Sequence, residues 1–388
     1  MDVNVPLPLL GGLSPAAFMR RHWQKKPLLV RQAWPGVQPP LDRRALFDLA
    51  GAEDVESRLV EQQSGRWKVR HGPLPKRALP PVGRPGWTLL VQGLDLHVGA
   101  AHEMLSRFAF VPQARLDDLM TSWASDGGGV GPHLDSYDVF LIQVQGRRRW
   151  RVGPCLDAAS AAWLPGLPLK ILAEFQPLHD WVLEPGDMLY LPPGWGHDGV
   201  AVGGDCMTCS VGFRAPAAPA IAAELLQRLA DTHDDLQDDA QAQGMAARPR
   251  LYRDPAQPAT TAPGQVPPAL QAFARQAVAR LLAQPHALER ALGEVLTEPK
   301  PRVWFNVAES ATAEDGVRLA AASRMAYDTR HVFINGESFR AAGRDARLMR
   351  QLADTRQLGR RECSSLSDEA RELVQDWLDS GWLLPHSA

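Results

Sequence analysis

The sequence predicts an α+β chain in which an antiparallel β unit is followed by a helical stretch and then by a small module of winged-helix type. Three observations carry this. Short apolar runs bounded by Gly and Pro turns dominate the chain up to about residue 214. Helical spacing replaces them just after Arg214-Ala-Pro-Ala-Ala-Pro-Ala220, and helix signals mix with a short closing strand over the last part. At 388 residues the chain exceeds what one hydrophobic core normally supports. The composition places three units at 1–214, 215–296 and 297–388.

Taken in order, Ser14 as N-cap and Pro15 in the first turn announce a helix with Phe18 and Trp23 as apolar contacts, and Pro27 is expected to end it. Leu28 to Val30 and Trp87 to Val91 are predicted as short strands. The richest β region runs from Tyr137 to Val152, where DVFLIQVQ and RRRWRV flank Gly146 and are expected to form a hairpin. A second pair, WVL and MLYL, is expected around Glu184-Pro185-Gly186-Asp187, followed by a strand in CMTCSVGF. Beyond residue 214, Ile221, Leu225 and Leu229 recur at helical spacing, as do Leu270, Phe273, Ala277 and Leu281. Between them, 248–268 is rich in Pro, Ala and Thr and is expected to be irregular. These apolar faces can pack on each other, on the β unit or on a second copy of the chain, so a homodimer is one expectation. In the last unit, His331 to Phe339 is predicted as a strand with a turn at Asn335-Gly336, and Arg344 to Asp354 as a helix. Ser367 caps a further helix with the stripe Ala370, Leu373, Val374 and Trp377, Gly381 stops it, and Trp382 to Leu384 closes as a strand.

A formal charge of -2, from 42 basic and 44 acidic residues, gives no global reason to expect nucleic acid or an acidic membrane as partner. Any such contact must be a local patch. Four cysteines, Cys155, Cys206, Cys209 and Cys363, are too few and scattered for a disulfide framework, which points to a reducing cytoplasmic compartment. The start lacks a basic, apolar leader, and no stretch approaches the ~20 apolar residues of a spanning helix. A soluble, cytoplasmic protein without a membrane partner is expected.

The chemistry concentrates in Gly131-Pro132-His133-Leu134-Asp135, answered about sixty residues later by Leu191-Pro192-Pro193-Gly194-Trp195-Gly196-His197. Two imidazoles and one carboxylate are the donor set of a mononuclear iron(II) oxygenase, because three positions stay open for a bidentate oxoacid and dioxygen. His133 and Asp135 enter a β segment, where i and i+2 share a face, and the preceding glycines let backbone approach a ligand. Tyr137 follows on the same alternation. The alternative is a plain surface turn before a strand. A second His-x-Asp, His233-Asp234-Asp235, lies in a polar helical stretch, where residues two apart diverge by roughly 200° and cannot share an ion.

Arg147-Arg148-Arg149 also calls for a cause. Arg148 must face opposite to its two neighbours, so one of these residues can enter the barrel and meet an anion while the others remain in solvent; the alternative is a solvated basic edge. Cys206-Met-Thr-Cys209 has the outline of half a zinc site, but without a second pair it is expected to be a buried strand. On that strand Thr208 and Ser210 can either bind a co-substrate or pack.

With those residues in hand, the chain resembles the JmjC-type ribosomal oxygenases, in particular the bacterial branch that hydroxylates an arginine of the sixteenth protein of the large ribosomal subunit. The resemblance rests on GGGVGPHLDSYDVFLIQVQGRRRWRVG (127–153) and LEPGDMLYLPPGWGHDG (183–199), supported by HWQKKPLLVR (22–31) and TEPKPRVWFN (297–306). It implies a JmjC, cupin-like double-stranded β-helix, a helical dimerisation region and a C-terminal winged helix. It further implies that His133, Asp135 and His197 hold Fe(II), and that Arg148 grips the distal carboxylate of 2-oxoglutarate. Dioxygen is then the second co-substrate and a large-subunit ribosomal protein the substrate. A cationic arginine needs counter-charge, for which Asp126, Tyr137 and Asp138 are the candidates.

Two rivals remain at this point. The same chemistry can act on another residue, by histidine hydroxylation or lysine demethylation. A cupin-type sensor with a DNA-binding winged helix is the other, against which helix 367–380 carries Asp368, Glu369, Glu372, Asp376 and Asp379, a poor surface for phosphates.

Overall fold

Alternation within strands decides which side chains of the N-terminal half face a common interior. A computed structural model describes residues 2–63, 65–167, 169–242, 251–307 and 312–386, with side chains left undescribed from 232 to 242. The chain divides into two compact units, Met1–Ala215 with Pro301–Trp304, and Pro216–Lys300 with Phe305–Ala388.

In the first unit, strands β1 (Leu28–Val30), β2 (Ser57–Gln63), β3 (Arg66–His71), β4 (Trp87–Val91), β5 (Leu116–Ala124), β6 (Asp138–Gln145), β7 (Arg148–Cys155), β8 (His179–Leu183), β9 (Met188–Leu191), β10 (Trp195–Ala201) and β11 (Cys206–Phe213) make two antiparallel sheets. The larger runs β1-β9-β6-β11-β5-β4-β2-β3 and the smaller β10-β7-β8. Both expected hairpins are therefore corrected. β6 pairs with β9 and β11, whereas β7 pairs with β10 and β8. Likewise β8 and β9 lie in different sheets. The turns after Gln145 and Leu183 are corners at which the chain leaves one sheet for the other, as a double-stranded β-helix requires. Gly146 makes the first corner possible: its φ is 63°, and a Cβ there would sit 2.2 Å from the carbonyl oxygen of Asp205.

The predicted first helix, α1 (Pro15–Arg21), starts as expected, with the Ser14 hydroxyl accepting from the Ala17 amide. It stops at Arg21, ahead of Pro27, because the chain turns back through Gln24 at φ 54° to reach β1. Gln24 is held there by its amide donating to the Tyr190 hydroxyl at 2.9 Å. With α2 (Arg43–Leu49), α3 (Leu94–His97) and α4 (Gly99–Ser106), α1 flanks a core that includes Phe18, Trp23, Phe108, Phe140 and Tyr190. Phe18 and Tyr190 meet edge to face at 4.9 Å between centroids. Each aromatic buried this way contributes about 2–3 kcal/mol. A second apolar cluster contains Val139, Leu141, Trp150, Val152, Leu183 and Leu191, which come from both sheets.

The second unit begins with α5 (Ala218–Ala242), α6 (Pro268–Leu282) and α7 (Ala287–Thr297). The helical spacings at Ile221 and Leu270 fall on α5 and α6. His233 and Asp235 fall on the helical backbone of α5, but their side chains lie outside the described ones. Residues 251–267 have no regular structure, and the part of the expected loop before them lies outside the described residues. The remainder comprises β12 (Val317–Leu319), β13 (Met325–Tyr327), β14 (His331–Ile334), β15 (Glu337–Arg340), α8 (Gly343–Thr355), β16 (Gln357–Leu358), α9 (Arg360–Cys363), α10 (Asp368–Asp379) and β17 (Leu383–Pro385). Two three-stranded sheets, β16-β12-β17 and β13-β14-β15, pack around Leu348, Leu352, Val374 and Trp377. Asn335-Gly336 is the turn between β14 and β15, and Ser367 caps α10 by accepting from the Ala370 amide.

Candidate active site

His133 and His197 lie directly opposite each other in an isolated antiparallel bridge, each backbone amide donating to the other's carbonyl at 3.0 Å. This bridge closes the gap between the loop before β6 and the start of β10. It places the His133 and His197 rings 4.2 Å apart between centroids. Asp135, two residues along from His133, completes the cluster: its carboxylate oxygens lie 3.7 Å from His133 Nε2 and 3.4 Å from His197 Nε2. One donor atom from each of the three can be chosen so that all lie within 4.8 Å of one another. No other such cluster of three occurs among the described residues.

The backbone sets which ring nitrogen is available. Nδ1 of His133 donates to the Gly131 carbonyl at 2.8 Å, and Nδ1 of His197 to the Trp195 carbonyl at 2.9 Å. A carbonyl can only accept, so both Nδ1 atoms carry hydrogen and both Nε2 atoms turn to Asp135, where each offers a metal its lone pair once unprotonated. Gly131 can serve as this anchor only as glycine. Its φ is 82°, and a Cβ would lie 2.8 Å from Ile171 Cδ1 and from the Trp67 ring.

Electrostatics matches a cation site. Burial and the charge of His197 push His133 down. Burial would raise Asp135, but the hydrogen bond from His197 and the nearby imidazoles outweigh it and hold the carboxyl at about 2. Burial would likewise lower His197, but Asp135 more than offsets it and its pKa is raised. An ionised carboxylate is thus held against two buried imidazoles, and a divalent ion would replace the proton that His197 otherwise takes.

These three residues line a cavity of about 410 Å³. Lining positions two apart recur around it: Arg58 and Val60 on β2, Leu90 on β4 with Gln92 just past its end, Met120 and Ser122 on β5, Val139 and Leu141 on β6, Arg148 and Trp150 on β7, Thr208 and Ser210 on β11. Arg148 is 3% exposed. Its Nη1 donates to Ser122 Oγ at 3.0 Å and Thr208 Oγ1 at 3.5 Å, its Nη2 to the Gly199 carbonyl at 3.2 Å, and its Nε has no partner. Among the described residues no carboxylate forms an ion pair with it. Arg149 instead pairs with Asp180 in solvent, as strand parity requires.

The three proposed substrate contacts separate. Tyr137 lines the cavity. Asp138 does not, because Val139 takes the inward position and Asp138 faces the outer core. There it is fully buried, accepting from the Tyr190 hydroxyl at 2.6 Å, Gln24 Nε2 at 3.0 Å and Arg115 Nη2 at 3.2 Å. Asp126 lies past the end of β5 on an exposed turn, where it accepts from the Gly204 amide at 3.2 Å. The cavity's own carboxylates, besides Asp135, are Asp117 and Asp118. Sequence reasoning missed them together with Arg58, Gln92 and Ser122. The signal was present: in LDDLMTSW, Asp118 and Ser122 are polar residues four apart, on one face of a strand with buried neighbours. Cys206 and Cys209 are buried on β11 as free thiols, Cys209 pushed up by burial to about 12.

A family model described as the JmjC domain matches residues 103–221, and one described as the ROXA-like winged helix matches residues 280–384. The ribosomal protein uL16 3-hydroxylase of Escherichia coli is 37% identical over 283 residues, spanning 73% of this chain and 71% of that protein. The chain belongs to the JmjC ribosomal oxygenases. A second family member, a probable ribosomal oxygenase of Haemophilus influenzae, is 40% identical over 206 residues, covering 53% of this chain and 50% of the relative. Among solved structures, the E. coli ribosomal oxygenase YcfD in complex with cobalt and 2-oxoglutarate superposes with a TM-score of 0.76 at 30% identity, covering 96% of this chain and 98% of the other. The same protein with cobalt and succinic acid gives the same score and coverage. The family thus joins a cupin-like sheet unit to a winged helix, the two architectures described above.

Proposed function

We propose that this chain is an iron(II)- and 2-oxoglutarate-dependent hydroxylase that adds a hydroxyl group to the β-carbon of an arginine in ribosomal protein uL16. The observation that carries the reading is Arg148, a buried guanidinium without a carboxylate partner, in the same cavity as the convergent His133, Asp135 and His197. A buried cation of this kind calls for an anion, and the flat, distal carboxylate of an oxoacid suits its fork. Two neutral nitrogens and one carboxylate leave room for that oxoacid and dioxygen.

Iron bound there would supply oxidative decarboxylation of 2-oxoglutarate to succinate and carbon dioxide, the second oxygen atom entering the substrate C–H bond. The protein's part is positional. Gly131 and Trp195 carbonyls hold the imidazoles, Ser122 and Thr208 steady Arg148, and Tyr137 with Asp118 faces the arginine side chain. The apolar walls Val139, Leu141 and Trp150 keep water away from the reacting carbon.

The exposed apolar side chains Leu226, Leu270, Val278 and Leu282 support a homodimer formed through the middle helices, residues 215–296, between a catalytic region 1–214 and a winged-helix region 297–388. Among the described residues no helix is long and apolar enough to cross a membrane, which agrees with a cytoplasmic enzyme. The test is succinate formation from 2-oxoglutarate with iron(II) and air, with and without a uL16 peptide containing the arginine, beside His133→Ala. Peptide-stimulated turnover with a product heavier by one oxygen atom, lost in the variant, is expected. Turnover indifferent to the peptide would remove the assigned substrate, and its absence from folded, iron-loaded protein would remove the enzyme.

A further inference from the structure

The acidic helix that argued against nucleic acid is α10, yet a different face of the second unit is strongly basic. Residues 324–350 contain six arginines, at 324, 330, 340, 344, 347 and 350, against three carboxylates. Two of those carboxylates are turned to other groups. Asp328 accepts from the Arg330 and His331 amides and faces His331 Nδ1, while Asp345 accepts from the Ser367 amide and hydroxyl.

Two of these arginines, Arg347 and Arg350, line one groove. Its volume is about 700 Å³, and Tyr327, Thr329, Ala341, Ala346, Arg347 and Arg350 line it. Arg330 and Arg340 are chain neighbours of the lining residues Thr329 and Ala341, at the ends of the β14–β15 pair where His331 stands opposite Arg340. Arg330, Arg340, Arg344 and Arg347 are exposed, and among the described residues none of Arg330, Arg340 or Arg347 has a carboxylate partner. Arg350 sits 5.6 Å from the Tyr327 ring centroid and donates to the Thr329 carbonyl at 3.2 Å, which ties the helix to the hairpin. Tyr327 is 40% exposed, leaving ring surface available for stacking, and Asp354, bound by its hydroxyl, is the one carboxylate on the wall.

We propose that this groove, between α8 and the β13–β14 turn, is a docking surface for the phosphate backbone of single-stranded or looped RNA. Exposed guanidinium groups without carboxylate partners on a helix and a hairpin suit phosphates, and an aromatic ring beside them suits an unstacked base. An acidic peptide would use the charge but leave the ring and groove without a purpose. The choice of RNA over DNA rests on the ribosomal substrate proposed above, since RNA then surrounds the protein being modified.

The test is fluorescence anisotropy of a labelled 12-nucleotide RNA with the full chain at 50 and 200 mM salt. Arg340→Glu/Arg347→Glu is compared with Arg44→Glu/Arg66→Glu, an equal charge change in the other unit. With about four phosphates contacted, wild-type affinity is expected to weaken about 50-fold over that salt range. Arg340→Glu/Arg347→Glu should bind at least about tenfold more weakly at 50 mM, with a flatter salt slope, and the control pair should stay within a factor of about two. Equal losses in both double variants, no binding by the wild type at 50 mM, or equal affinity for duplex DNA or poly-glutamate would each overturn the proposal. Hydroxylation of the short uL16 peptide, run on the same variants, should be unchanged and shows that they are folded. Anisotropy does not depend on that activity, so failure of the hydroxylase reading and failure of this one are told apart.

Discussion

Replacing Arg148 by methionine removes a buried charge and leaves a side chain of similar length. In the protein without co-substrate, three charge-assisted hydrogen bonds are lost, to Ser122, Thr208 and Gly199, worth about 1.5 kcal/mol each. Against this stands relief from a buried guanidinium that lacks a counter-ion, a penalty of several kcal/mol after relaxation. The two nearly cancel, so the melting temperature of Arg148→Met should equal or exceed that of the wild type by a few degrees. Binding of 2-oxoglutarate should move the other way. Losing a bidentate, charge-assisted pair in a dry cavity costs about 3–4 kcal/mol, which is a 10²- to 10³-fold weaker Kd. Arg148→Lys keeps the charge without the fork and should fall between. Calorimetric titration of 2-oxoglutarate into the manganese-loaded protein under nitrogen, beside thermal melts, reads both quantities. If Arg148→Met binds 2-oxoglutarate within threefold of wild type, the assignment of this arginine to the co-substrate is wrong. If it instead melts far below wild type, the charge is structurally satisfied and the bookkeeping above fails.

Further outcomes follow from the same geometry. Gly131→Ala must move Trp67 or Ile171 and with them the carbonyl that holds His133, so metal affinity in chelator competition should fall about 10- to 100-fold; unchanged affinity would show that this anchor is dispensable. Asp118→Asn should raise the peptide KM about 10- to 100-fold while peptide-independent 2-oxoglutarate turnover stays near wild type. Asp126→Asn, on its exposed turn, should change neither, and a large effect there would return it to the substrate site. Burial alone would raise Asp187, but the Gln32 and Glu184 amides and the Arg31 guanidinium outweigh it and hold the carboxyl below its ordinary value. Its stabilisation is therefore complete above the ordinary aspartate pKa of about 3.9 and lost as pH falls through the lower, folded value. Asp187→Asn should cost about 1–3 kcal/mol at pH 7 and flatten the loss of melting temperature between pH 4 and pH 2; parallel pH curves for the two proteins would refute the linkage.

Some features were readable because they depend only on neighbours in the chain. His133 and Asp135 could be paired from spacing, since a strand repeats every two residues whatever it packs against. The caps at Ser14 and Ser367 were equally local, each a hydroxyl accepting an amide three residues on. The family resemblance chose Arg148 from three arginines, and the inward turn of its side chain agrees with strand parity.

Tertiary structure decided what neighbours cannot. The runs around Gly146 and Gly186 look like hairpins, because a corner between two sheets and a turn within one sheet use the same residues. Only the long-range register, β6 against β9 and β11 and β7 against β10, distinguishes them. The same register turns Asp138 to the outer core and Asp118 to the cavity, although both are aspartates on buried strands. By itself, then, the sequence determined the donor set, the caps and the strand alternation, which follow from local backbone geometry. Which face of each strand became the cavity was decided by pairing between residues far apart in the chain, where burial of the aromatic core leaves a single side for polar groups.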